Sequence, residues 1–131
     1  MILLAEKWID AVKRHSRRCI QLRFLVGTVI LNIISCYAPQ TETGLSTEEK
    51  DAFYDQVVSI VAAVPEDEML LLGGDLNGHV GQQSTGFEDV HGGYGYGEQN
   101  QDGVRILDFC LSNKRTIVNT FFQKTNNNID L

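Results

Sequence analysis

Ile20, Gln21, Leu22, Arg23 and Phe24 alternate apolar and polar, the period of a strand with one buried face. Gly27-Thr28 follows, a Gly-X pair suited to a two-residue hairpin turn. Val29 to Tyr37 then reads as a second, mostly buried strand that Pro39 ends. Beyond it the period changes. Ser46-Thr47-Glu48-Glu49 has the form of a capping box with Ser46 as N-cap, and Phe53, Val57, Ile60, Val61 and Val64 recur at helical spacing until Pro65. Met69 to Leu72 is a short buried strand, and a helix leading directly into such a strand implies layered α/β packing.

The second half is less periodic. Nine of the twelve glycines lie between Gly73 and Gly97, and a loop of that length in a compact domain is usually functional or disordered. Asp102 is predicted to cap a helix with Val104, Leu107, Cys110 and Leu111 on one face. Thr116 to Phe122 is predicted to be a further strand, followed by a polar tail from Lys124. No internal repeat and no linker divides the chain, so its 131 residues fit one domain or a piece of a larger one.

Composition adds a core and a compartment. A hydrophobic fraction of 43% suffices for a packed interior. Cys19, Cys36 and Cys110 show no metal-like spacing, and an odd number of scattered thiols reads as buried small apolar residues in a reducing compartment. The opening "MILLAEKW" has too short an apolar core for a secretory signal. The longest apolar stretch, Phe24 to Ile34, is interrupted by Gly27, Thr28 and Asn32 and is too short to span a bilayer. The expectation is a soluble intracellular protein with no membrane partner.

Charge divides the chain unevenly. Residues 1–23 carry Lys7, Lys13, Arg14, Arg17, Arg18 and Arg23 against Glu6 and Asp10, a net +4, so an overall −6 leaves −10 on the remainder. The acidic total argues against nucleic-acid binding by bulk electrostatics. The basic stretch is either a solvated face or a surface for a polyanion.

Candidate chemistry lies where "LLLGGDLNGHVG" brings Asp75 and Asn77 to the end of a buried strand. If extended geometry persists, the two side chains point the same way. A carboxylate is a ligand for Mg²⁺ and accepts a proton from an attacking water, while an amide holds that water or a phosphate oxygen. Asn77-Gly78 is equally a hairpin-turn pair. Tyr37 could donate to a phosphate or simply be a core ring with a satisfied hydroxyl. "HGGYGYG", from His91 to Gly97, neither follows a strand nor opens a helix and so is not a dinucleotide fingerprint. His79 and His91 read as loop residues rather than metal ligands.

The order "LNIISCYAPQ", helix, "LLLGGDLNGHVG", "GFEDVHGGYGYGEQNQDGVRILDFCLSN" and "TIVNTFF" closely resembles the endonuclease/exonuclease/phosphatase superfamily. Within it the chain resembles the endonuclease domain of non-long-terminal-repeat retrotransposons and the craniofacial development protein 2-like proteins. The resemblance runs from about Ala5 to about Gln123. It implies a four-layer α/β sandwich of two mostly antiparallel sheets flanked by helices, and phosphodiester hydrolysis with Mg²⁺ or Mn²⁺. DNA is the substrate it favours, which leaves the nucleus open as the place of work.

By matching position, Asp75 would align or deprotonate the attacking water, with Asn77 orienting that water or a phosphate oxygen. Asp75 and Asn77 would also be the residues nearest the metal. Tyr37 would steady charge on the phosphate. The family's principal metal-binding Glu lies on an early strand and does not match Glu6, and its late "Asp-His" motif has no counterpart. Asp130 after Ile129 is a weak match to the family's "Ile-Asp" step. The expectation for 1–131 is therefore the central portion of one such domain, incomplete at its ends. A non-catalytic, retrotransposon-derived interaction module is the alternative.

Overall fold

The computed structural model describes residues 8–40 and 47–123, a mixed α/β chain with one four-stranded sheet and two helices. It falls into two compact units that divide after Leu76.

The first unit holds β1 (Ile9–Arg14), β2 (Cys19–Val26), β3 (Val29–Tyr37), α1 (Thr47–Ala62) and β4 (Met69–Asp75). The strands lie in the order β1-β2-β3-β4. The hairpin expected at Gly27-Thr28 is present: Val26 pairs with Val29, and Gly27 takes the left-handed φ of +64° that the turn requires. β4 joins β3 in parallel, from Leu31↔Met69 to Tyr37↔Asp75. Antiparallel strands can be joined by a tight turn, whereas a parallel pair needs a crossover, which α1 supplies.

No periodic pattern announces β1. Its residues Ile9 to Arg14 do not alternate, and they are mostly exposed on an edge strand where charged side chains discourage further pairing.

Buried in this unit are Cys19, Phe24, Ile34, Cys36 and Ala38, with Phe53, Val57, Ile60 and Val61 of α1. The helix carries the expected apolar face but ends at Ala62, so Val64 sits in the turn beyond it. Ser46, the expected cap, lies outside the described residues. Ser16 Oγ donates to Gln56 Oε1 at 2.9 Å and ties α1 to the β1–β2 turn. All three cysteines are free and buried, as expected, with burial pushing the Cys110 thiol up to about 11.

A polar chain crosses the sheet. Gln21 Nε2 donates to Asn32 Oδ1 at 2.9 Å, and buried Asn32 donates through Nδ2 to Glu68 Oε2 at 2.7 Å. Arg23 closes on both Glu68 oxygens at 3.1 and 2.5 Å and also bonds Asp10. The guanidinium of Arg23, and then the Asn32 amide, hold the Glu68 carboxyl below the usual carboxylate range. A depressed carboxyl contributes stability above its unfolded pKa and loses it as pH falls through the folded value. Thermal midpoints are therefore expected to hold between neutral pH and about 5 and to fall below about 4. Glu68→Gln should lower the neutral midpoint and flatten that acid limb; a limb as steep as in the wild type would assign the titration elsewhere.

The second unit holds α2 (Gln101–Ser112) and a 3₁₀ turn (Val118–Thr120). Two expectations need correction here. The cap of α2 is Asn100, not Asp102: Asn100 is extended (φ −115°, ψ 176°) and its side chain accepts from the Gly103 N–H. The buried face is Gly103, Ile106, Leu107, Phe109 and Cys110, which leaves Leu111 exposed and Val104 only half-buried.

Thr116 to Phe122 is not a strand. Its backbone bonds go singly to the loop, with Ile117 N–H donating to Val90 O at 2.9 Å and Tyr94 N–H to Thr120 O at 2.9 Å. Thr120 Oγ1 donates to Ile117 O at 2.7 Å and closes the turn. β-Branched residues here serve a loop seam rather than a ladder.

Among the described residues no helix is long and apolar enough to cross a membrane.

Candidate active site

β3 and β4 run side by side and finish together, so their last residues, Tyr37 and Asp75, are parallel register partners. The seam is locked just beyond them, where Ala38 N–H donates to Asp75 O at 2.8 Å. Register partners share a face, so the phenol and the carboxylate leave the sheet on one side. Both are exposed, Tyr37 at 47%. A core role for the Tyr37 ring, open from the sequence, is thereby excluded.

Arg18 fixes Tyr37 from the opposite flank. Tyr37 N–H donates to Arg18 O at 2.9 Å, and Arg18 Nη1 donates back to Tyr37 O at 3.2 Å. The same guanidinium lies 5.6 Å from the ring centroid, within cation–π range. Sequence reasoning missed this partner. Its only signals were membership of the basic stretch and a position before Cys19, which becomes structural only once Cys19 is paired with Cys36.

Asn77 stands differently. Strand geometry ends at Asp75, and Asn77 has a left-handed φ of +50°. The alternation that would have carried both side chains to one side therefore stops short of Asn77. Nor is Asn77-Gly78 a hairpin turn, because no strand follows in the described residues. Asn tolerates this backbone region better than other side-chain-bearing residues, since its amide bonds locally. Asn77 opens the second unit and is half-buried.

His79 and His91 both lie in loop segments, as read from the sequence. His91 is buried, its Nδ1 accepts from the Gly93 N–H at 3.0 Å, and its Nε2 therefore donates to Gly81 O at 2.9 Å. Both ring nitrogens are committed to organising the glycine-rich loop. Exposed His79 is held by its backbone, whose N–H donates to Asn100 Oδ1 at 3.0 Å.

Oxygen donors of the Asp75 kind suit Mg²⁺ or Mn²⁺. Among the described residues, however, no three of His, Cys, Asp and Glu gather as a metal cluster. Asp75 by itself does not fix an octahedral ion, so the described residues are not a complete metal site.

No protein-family model matches the chain. It is similar to craniofacial development protein 2 of Tragulus javanicus, with 35% identity over 109 residues, 82% of this chain and 18% of that protein. The Bos taurus protein of the same name is 34% identical over 109 residues, 82% of this chain and 17% of that protein. These matches support the craniofacial development protein 2-like resemblance, and the chain spans less than a fifth of the length of the relatives it matches.

Proposed function

We propose that this chain carries the water-aligning and phosphate-facing residues of a divalent-metal-dependent phosphodiesterase, a DNA endonuclease of retrotransposon type. The observation that carries the reading is the pairing of Tyr37 with Asp75 at the exposed end of two parallel strands. The Asp75 carboxylate accepts a proton from, or aligns, the attacking water. The Tyr37 hydroxyl donates to a non-bridging phosphate oxygen, where negative charge grows as the water adds. The orienting role for the Asn77 amide, toward the water or a second oxygen, rests on the family resemblance alone. Mg²⁺ or Mn²⁺ supplies charge neutralisation in such chemistry, and its remaining ligands come from outside the described residues.

The same reading places the sheet in a four-layer sandwich. On the side of the sheet shared by Tyr37 and Asp75, Met69 and Leu71 of β4 are exposed apolar residues away from that end. A second sheet would cover them, as the inner faces of packed sheets cover each other.

The test is nicking of supercoiled plasmid by the full natural polypeptide that carries this sequence, with Mg²⁺ or with EDTA. Nicking is expected only with the ion, and Asp75→Asn should lower it by roughly 10²-fold or more. A folded protein that binds DNA without nicking it would replace this reading with the non-catalytic interaction module.

A further inference from the structure

The topology brings four strand ends to one end of the sheet. β1 finishes at Arg14, β2 begins at Cys19, and β3 and β4 finish at Tyr37 and Asp75. Arg14 pairs with Ile20, Ile20 with Ser35, and Ser35 with Gly73. The β1–β2 turn, with Arg17 and Arg18, therefore stands at the same end as the Tyr37–Asp75 pair. A cleft of about 340 Å³ opens there, and its walls include Arg14, Ser16, Arg17, Arg18, Ser35 and Tyr37.

The three arginines are not equivalent. Arg18 is engaged by Tyr37, both at its carbonyl and at its ring. Arg14 and Arg17 are exposed, and among the described residues neither forms an ion pair. The basic residue farther along β2, Arg23, is by contrast neutralised by Asp10 and Glu68. Apart from exposed Lys13, the uncompensated charge of this region thus lies at the cleft, in a chain whose net charge is −6. Long-range attraction cannot explain binding to such a chain, but a local pair of guanidiniums can. Each offers a planar fork of donors matched to two oxygens of one phosphate.

The geometry points to the Arg14–Arg17 cleft as the track for the phosphodiester backbone of a nucleic acid, leading one strand past Tyr37 and Asp75. Successive phosphates would meet Arg14 and Arg17, while the exposed Tyr37 ring offers a face on which a base or sugar can rest. Contacts of this kind fix position without reading sequence. The location relative to a scissile bond rests on the phosphodiesterase reading, but the binding itself does not require catalysis.

The experiment separates the two. Anisotropy of fluorescein-labelled duplexes of two unrelated sequences is measured in EDTA across a salt series, using the full natural polypeptide. The wild type is expected to bind both sequences alike. Arg14→Gln with Arg17→Gln should weaken both equally, by about tenfold at low salt, and reduce the salt slope by about two. Both residues are exposed, so the thermal midpoint should stay at the wild-type value, which excludes misfolding as the cause. Asp75→Asn should bind at least as tightly as the wild type while failing to nick.

Affinity and slope unchanged in the double variant would overturn the cleft assignment even if nicking persists. The cleft assignment would also fall if the charge preference were for phosphatidylserine vesicles, with no DNA binding. Binding that depends on the arginines, in a protein that never nicks, would support the track and sink only the catalytic reading.

Discussion

Gly74→Ala is expected to lower the thermal midpoint by about 10–20 °C, whereas Gly73→Ala should leave it level or slightly raised. The two glycines are adjacent in "GGD" yet do different things. A Cβ on Gly74 would lie 1.9 Å from Cys36 O and 2.9 Å from both Cys36 C and Cys36 N. All three are backbone atoms of the neighbouring strand, so no side-chain rotation relieves the clash. Gly74 also has a φ of +125°, which side-chain-bearing residues rarely adopt. Overpacking and backbone strain together cost about 3–5 kcal/mol. A Cβ on Gly73 meets nothing within 4 Å, and its gain comes from a less flexible unfolded chain.

Cys36↔Gly74 is the register step immediately before Tyr37↔Asp75. Any relief of the Gly74 clash therefore opens the seam that holds the candidate site, and activity should fall with stability. Circular dichroism melts of the two variants decide the matter. Equal midpoints would mean that the strands do not approach at Gly74 as closely as this geometry requires.

What could be read from the sequence follows from where the constraint was local. The β2–β3 hairpin was legible because alternation, a Gly-X turn and a terminating Pro39 all agree along one short stretch. The body of α1 was legible for the same reason. Other features were set by distant partners. β1 has no alternation to read, because an exposed edge strand needs none. Asn100 outcompetes Asp102 as the cap because its amide oxygen also receives the His79 N–H, a contact across 21 positions. The Arg23–Glu68–Asn32 chain joins β2, β3 and the turn before β4 and has no local signature.

The candidate site divides along the same line. Asp75 was conspicuous as a carboxylate ending an apolar run, and the structure adds its partner Tyr37, 38 positions away along the chain, through the parallel register. Asn77 was expected to share the strand's alternation, but its left-handed backbone breaks that link. The basic stretch looked like a solvated face, and for Lys13 on the edge strand exposure supports that. Only the topology distinguishes Arg14 and Arg17, by setting them at the end of the sheet where Tyr37 and Asp75 emerge.

Gly103→Ala should also destabilise strongly, although helix propensity alone predicts the opposite sign. Gly103 lies in the first turn of α2, where Ala is favoured over Gly by about 1 kcal/mol. Its added Cβ, however, would stand 1.7 Å from His79 O and 2.3 Å from His79 C. The segment at His79 cannot retreat without breaking its own bonds. His79 O accepts from the Asn100 N–H at 3.0 Å, and His79 N–H donates to Asn100 Oδ1 at 3.0 Å. The same Asn100 oxygen caps the helix through the Gly103 N–H at 2.8 Å. The expected loss is about 3–5 kcal/mol, read from urea unfolding with an unchanged slope. Asn100→Ala alone should cost about 1–2 kcal/mol, the usual range for a lost cap. The double variant should then cost less than the two losses combined, because both act by displacing the same His79 segment from the same helix terminus. A Gly103→Ala chain more stable than the wild type would show that propensity governs this position and that the helix does not press against His79.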